Sequence, residues 1–258
     1  MTKISHYLSI GLLPLLVLTA CNKKESATTA SAPTQSVEAP ATATATAEST
    51  NNNVTQNEQL GTKWGDELQS KVTTVDAQRV SDIPLAETQL RYADKNFKGK
   101  TLNDISMVAG QVRFSLEDDN GNSLPLFRDK QQYFVKAQAG QSYQLHYKNN
   151  SDKTFEVVAS VDGLDVLNGS TASRSNTGYV LAPHEDLVIE GFRKSEEAVA
   201  SFTFSKPEDS YANHNASGSI DNTGIIGTVL YELEDKNKPK PTYAPEPTAK
   251  PNAFPADK

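Results

Sequence analysis

Residues 108–127, VAGQVRFSLEDDNGNSLPLF, decide the fold. Val108, Gly110, Val112, Phe114 and Leu116 alternate with polar residues, the period of a strand with one face on a core. The alternation stops at Asp118-Asp119-Asn120-Gly121-Asn122, where Asn-Gly supplies the positive φ angles of a tight turn. Leu124 to Phe127 are then expected to return beside the first strand. The same period recurs downstream in Tyr133–Lys136, Tyr143-Leu145-Tyr147, Phe155–Val161, Gly178–Leu181, Leu187–Phe192, Ala198–Phe204 and Gly224–Leu233. Turn clusters separate these runs: Gln138–Gln141, Asn149–Asp152 and Ala182–Asp186. Short strands at regular spacing predict an all-β domain, an antiparallel β-sandwich of immunoglobulin-like or jelly-roll-like form. Asn149-Asn150 ahead of a β-branched run predicts that Tyr143–Val161 is a hairpin.

Upstream the pattern changes. Trp64, Leu68, Val72 and Val75 have helical spacing, whereas Val72-Thr73-Thr74-Val75 is rich in strand formers. The expectation is a short N-terminal helix over 62–69, followed by a strand to Val80. A helix and an irregular excursion both fit Pro84–Met107. The whole β-rich stretch, 61–234, is a normal size for one domain with one core.

The 258 residues are 36% hydrophobic and 22% charged, with a net charge of −7. These values argue against a multi-span membrane protein and against a basic nucleic-acid binder. A mean hydropathy of −0.54 and a single Trp are low for one packed domain of this length, so part of the chain is expected to stay outside the core. Residues 21–60, rich in Ala, Thr and Ser, read as a disordered tether that a coil model extends on the order of 35 Å. The Ser/Thr/Ala/Pro mixture within it also suits O-glycosylation. Residues 235–258 hold six of the thirteen prolines, with interleaved Lys, and read as a disordered, extended tail.

Residues 1–20 contain Lys3 and the apolar run IGLLPLLVL at 10–18, too short to span a bilayer and interrupted by Pro14. That is the pattern of a signal peptide. The run ends in Leu18-Thr19-Ala20-Cys21, which resembles the lipobox of bacterial lipoproteins. The resemblance implies that Cys21, the only Cys of the chain, becomes the acylated mature N-terminus, carrying a diacylglycerol thioether and further fatty acyl groups such as palmitate. Several acyl chains anchor a protein stably where one is marginal. Asn22 after the Cys implies sorting to the outer membrane of the cell envelope, with the membrane contacted through the lipid.

From about Gln131 to Glu234 the chain resembles an uncharacterised bacterial family. The resemblance is carried by Val161-Asp162-Gly163-Leu164, Gly178-Tyr179-Val180-Leu181, Gly191-Phe192-Arg193, Ser210-Tyr211-Ala212 and Gly224-Ile225-Ile226-Gly227. Thr223 stands where that pattern has Val. The family implies a β-rich fold and no established activity, so no catalytic residue is carried over. Read physically, Asp162 and Asp165 cap the turn after a strand, and Arg193 is a natural charged partner for one of them. Asp162, Asp165, Asn168, Tyr179 and Arg193 form the candidate binding patch, on loops at one end of the sandwich.

Other constellations do not form in the sequence. His146, His184 and His214 lack zinc-ligand spacing, and His146, between Leu145 and Tyr147, reads as a solvent-facing strand residue. No Gly-x-Ser-x-Gly elbow, calcium loop, phosphate loop or dinucleotide fingerprint is present. The reading that follows is a lipid-anchored envelope module without metal or cofactor, binding a protein or glycan partner. Two alternatives stand beside it: an envelope hydrolase using Asp162, Asp165 and Glu190 as acid and base, and a purely structural protein.

Overall fold

The computed structural model describes residues 52–234. Its strands are β1 (Gly61–Gln69), β2 (Ala86–Ala93), β3 (Lys100–Leu102), β4 (Ile105–Met107), β5 (Val112–Glu117), β6 (Leu126–Asp129), β7 (Gln132–Lys136) and β8 (Ser142–Asn149). They continue with β9 (Phe155–Val161), β10 (Leu164–Asp165), β11 (Tyr179–Leu181), β12 (Asp186–Ile189), β13 (Gly191–Arg193), β14 (Ala198–Ser205) and β15 (Ile225–Glu232). Helix α1 is a single turn, Tyr211–His214, capped by the Ser210 hydroxyl.

The strands form two sheets packed face to face, a β-sandwich as the alternation predicts. The first runs β1-β14-β8-β5-β4, with β12 on β8 and β13 on β14; the second runs β10-β9-β15-β2-β7-β6-β3, with β11 on β9. All pairs are antiparallel except β2 with β7, which makes the second sheet mixed. Inward residues of both sheets, among them Phe114, Tyr147, Phe202, Leu90, Val157 and Leu230, make one continuous core. Tyr143 stacks on Phe204 at 4.1 Å and on Phe202 at 5.2 Å between ring centroids. Offset aromatic pairs of this kind add to the burial itself.

Several expectations need correction. Residues 61–69 are strand β1, not a helix, and pair with β14 along their length. A bulge between Trp64 and Glu67 shifts the register. One extra residue makes the alternation slip, and two apolar residues four apart then imitate helical spacing. Gly65 fits this contact tightly, since a Cβ there would lie 2.3 Å from the Ser201 hydroxyl. No strand continues to Val80. Residues 70–80 instead form a strap between the sheets: Ser70 and Val72 donate to the Glu197 and Glu196 carbonyls, and Val80 donates to that of Glu232. Pro84–Met107 contributes strands β2 to β4.

A turn forms at 118–122, with positive φ at Gly121 (76°) and not at Asn120 as the Asn-Gly pair led one to expect, and with the Asp118 carboxylate accepting from the Asn120 and Asn122 amides at 2.9 Å. The returning limb is brief. Leu124 donates to the Leu116 carbonyl, and Pro125, lacking an N–H, precedes the crossing to β6 in the other sheet. Likewise β8 and β9 are not a hairpin, because they belong to different sheets. Asn149 holds the arch between them, donating to the Lys153 and Ala182 carbonyls and accepting from the Ser151 amide.

Packed structure also begins before residue 61. Thr55 to Glu58 form a turn, Leu60 is buried, and Asn52 bonds Lys98 and Asp129. The remainder of the expected tether, Cys21, the signal peptide and the proline-rich tail lie outside the described residues.

Candidate functional site

Of the residues singled out in the sequence, Asp165, Asn168, Tyr179 and Arg193 lie in or against the segment that links β10 to β11, residues 166–178. A tight turn precedes β10. Asp162 and Gly163 have φ of 53° and 76°, and Val161 pairs with Leu164 across them, the geometry of a two-residue type I′ hairpin. Asp165 then organises the loop. One carboxylate oxygen accepts from the Leu167 and Asn168 amides at 2.9 and 3.0 Å, and the other accepts from the Asn176 side chain at 3.0 Å. Asp165 is 2% exposed, so its capping role is structural.

Asp162 is also buried, at 1% exposure, and points into the core. Its Oδ2 accepts from the Thr62 amide (2.7 Å), and its Oδ1 accepts from Tyr92 Oη (2.6 Å) and the Gly224 amide (2.9 Å). The Thr62 hydroxyl continues the network to Tyr92 and Tyr143 at 2.8 and 2.7 Å. Strands of both sheets are thereby joined through polar atoms inside an apolar core. Burial pushes the Asp162 carboxyl up to about 7, against the pull of Tyr92 and the Thr62 and Gly224 amides.

The five-residue patch therefore does not assemble as an exposed surface. Asn168 lies exposed at the loop tip, Tyr179 and Arg193 are half-buried, and the two aspartates are inside. Arg193 does not pair with Asp162 or Asp165. It donates to the Ser70 carbonyl, to the Ser70 hydroxyl at 3.3 Å and to Tyr179 Oη at 3.3 Å. Its partners are neutral, so truncation strands no charge. Arg193→Ala is expected to lower stability by about 1–2 kcal/mol in urea melts, the range of lost neutral-acceptor hydrogen bonds; a loss above about 3 kcal/mol would contradict this pairing.

The residue that sequence reading missed is Arg79, on the strap. Its Nε lies 2.6 Å from Glu156, its guanidinium stacks 3.8 Å from the Tyr231 ring centroid, and it donates to the Asn176 carbonyl at 2.6 Å. Glu156 in turn accepts from the Gly178 amide at 2.7 Å. Nothing local signals this role, because Glu156 is 77 positions away.

A groove lies on each side of the braced loop. One, of about 560 Å³, runs between the strap and β11 and is lined by Val72, Val75, Leu167, Tyr179, Leu187 and Leu233. The other, of about 420 Å³, lies between loop residues Ala172–Arg174 and the outer face of the second sheet. Arg174 spans it, bonding Glu87 through Nε and Nη2 at 2.7 and 2.8 Å.

Neither groove brings together two of Asp162, Asp165 and Glu190, the carboxylates of the hydrolase alternative. His146 sits on the outer face of the first sheet, its Nδ1 2.6 Å from Glu117 and its Nε2 3.2 Å from Asp186. His184 lies 2.8 Å from Asp152. Among the described residues no group of three His, Cys, Asp or Glu is arranged to hold a metal ion, and no helix is long and apolar enough to cross a membrane.

The described residues thus constitute a two-sheet sandwich whose distinctive surface is one braced loop between two grooves. No protein-family model matches the chain, and no curated protein or solved structure matches it either.

Proposed function

We propose that the protein is a non-catalytic binding module of the cell envelope, anchored through lipid on Cys21 and holding a protein or glycan partner at the β10–β11 loop. The observation that carries the reading is the bracing of that loop. Arg79, Asp165 and Glu156 fix it from three sides, while Asn168 and the two grooves stay open to solvent. A surface fixed before binding loses little freedom on complex formation, which favours affinity. The buried carboxylates are spent on architecture: both oxygens of Asp162 and of Asp165 already accept hydrogen bonds. The lipobox resemblance of Leu18–Cys21 supports the anchor, and Asn22 after the Cys supports the outer-membrane placement.

A photo-crosslinking side chain placed at Asn168 tests the partner site, with Lys148 on the outer face of the first sheet as control. Discrete adducts in living cells are expected from position 168 and not from 148. Equal labelling from both, or none from 168, would remove the loop from the binding surface. The anchor is tested in the same cells, because Cys21→Ser should release the protein from the outer-membrane fraction.

A further inference from the structure

The groove beside Arg174 does not end at the loop. Glu87, Thr88 and Gln89 line both it and a second depression of about 380 Å³, which continues over Arg91, Gln131, Gln132 and Tyr133. Together they make one trough across the outer face of the second sheet, over β9, β15, β2 and β7. These four strands are adjacent, and three spacings of about 4.8 Å give a trough roughly 14 Å long, about the length of a trisaccharide.

The trough is polar along its sides and low in its floor. Glu87, Gln89 and Arg91 are the exposed alternate residues of β2. Gln89, Gln132 and Ser160 have no side-chain hydrogen bond among the described residues. The amides each offer a donor and an acceptor, which suits neighbouring sugar hydroxyls. Val158, Gly227 and Val229 form the floor at one end, a surface for the C–H face of a pyranose. At Gly227 any Cβ would lie 2.6 Å from the Ser160 hydroxyl, so glycine keeps the floor open in mid-strand, where it is otherwise unfavourable. Charge selects further. Arg174 is neutralised by Glu87, whereas Arg91, which lines the other depression of the trough, has no carboxylate partner among the described residues. A planar guanidinium matches a carboxylate with two parallel hydrogen bonds.

We infer that the trough from Arg174 to Gln132 binds a short stretch of an acidic glycan, with Arg91 taking a sugar carboxylate. The inference rests on the binding-module reading and names the ligand class for it. Two sources share this chemistry, uronate polysaccharides and glycan strands bearing lactyl ethers.

Isothermal titration of the full chain in detergent with hexagalacturonate, with peptide-free peptidoglycan strands, and with neutral cellohexaose tests the assignment. One of the two acidic probes should bind, and which one binds identifies the source. Cellohexaose should bind at least tenfold more weakly. Arg91→Gln, an exposed change that leaves the core untouched, should weaken acidic-probe binding at least tenfold. Gly227→Val, which raises the floor with a residue suited to strands, should abolish it while circular dichroism remains that of the wild type. Binding of neither acidic probe, equal binding of cellohexaose, or an unaffected Arg91→Gln variant would each overturn the inference. Position-168 adducts report separately on the module reading, so the two can fail independently.

Discussion

Asp162→Ala is expected to cost about 4 kcal/mol in urea melts, because it leaves three donors in the core without an acceptor. The Thr62 amide, the Gly224 amide and Tyr92 Oη all converge on this carboxylate, and alanine also tolerates the 53° φ of the turn less well. The charge on Asp162 adds a pH signature. Burial raises its pKa from 3.8 to about 7, so between those values the folded state binds more protons than the unfolded chain. The contribution of this group is therefore fully present below about pH 4 and is lost as pH rises through about 7, on the order of 4 kcal/mol over the window. The hydroxyls admit both charge states. When Asp162 is ionised, Tyr92 donates to it; when it is protonated, the Asp162 O–H can donate to Tyr92, which turns toward Thr62. Asp162→Asn keeps the turn and removes the titration. Its deficit relative to wild type should shrink from pH 4 to pH 8, and a deficit independent of pH would show that Asp162 is ionised throughout.

Arg79→Ala should be the second large effect, about 3 kcal/mol. It removes the stacking on Tyr231 and leaves Glu156, largely buried, without its cation. The carbonyl of Asn176 loses its donor too, so the β10–β11 loop should become the first site cut in limited proteolysis. Arg79→Lys keeps the charge but not the planar fork, and should recover less than half the loss. Unchanged melting with an uncut loop would refute the bracing.

Local chemistry was legible in the sequence. The Asp118–Asn122 turn, the alternation of β8, a turn after the strand that ends at Val161 and the cap by Asp165 depend on residues within a few positions of one another; the cap expected from Asp162 does not form, because its carboxylate faces Thr62, Tyr92 and Gly224 in the core. Sheet membership was not. Period two reports that Tyr143 and Val157 face a core, and says nothing about which sheet each joins, so an arch held by Asn149 read as a hairpin. The strand at 61–69 was hidden by its bulge. The partners of the two arginines were beyond reach for a related reason: Ser70 lies 123 positions from Arg193, and no spacing rule connects residues that meet only after both sheets have closed. Of the candidate patch, Asn168 lies exposed on the loop, whereas Asp162 and Asp165 are buried. The loop is where the grooves lie, yet its aspartates face inward.

The pairing of β1 with β14 has a consequence for how the chain comes into being. Gly61 and Ser205 are register partners 144 positions apart, and β2 likewise waits for β15, with Ala86 opposite Leu230. Neither sheet can close until nearly the whole domain has been synthesised. Topologies dominated by such distant contacts fold slowly, because the loop-closure entropy is met before the contacts repay it. A fragment ending before residue 198 would lack β14 and β15, the strands that join β1 to β8 and β9 to β2, so neither sheet could be completed.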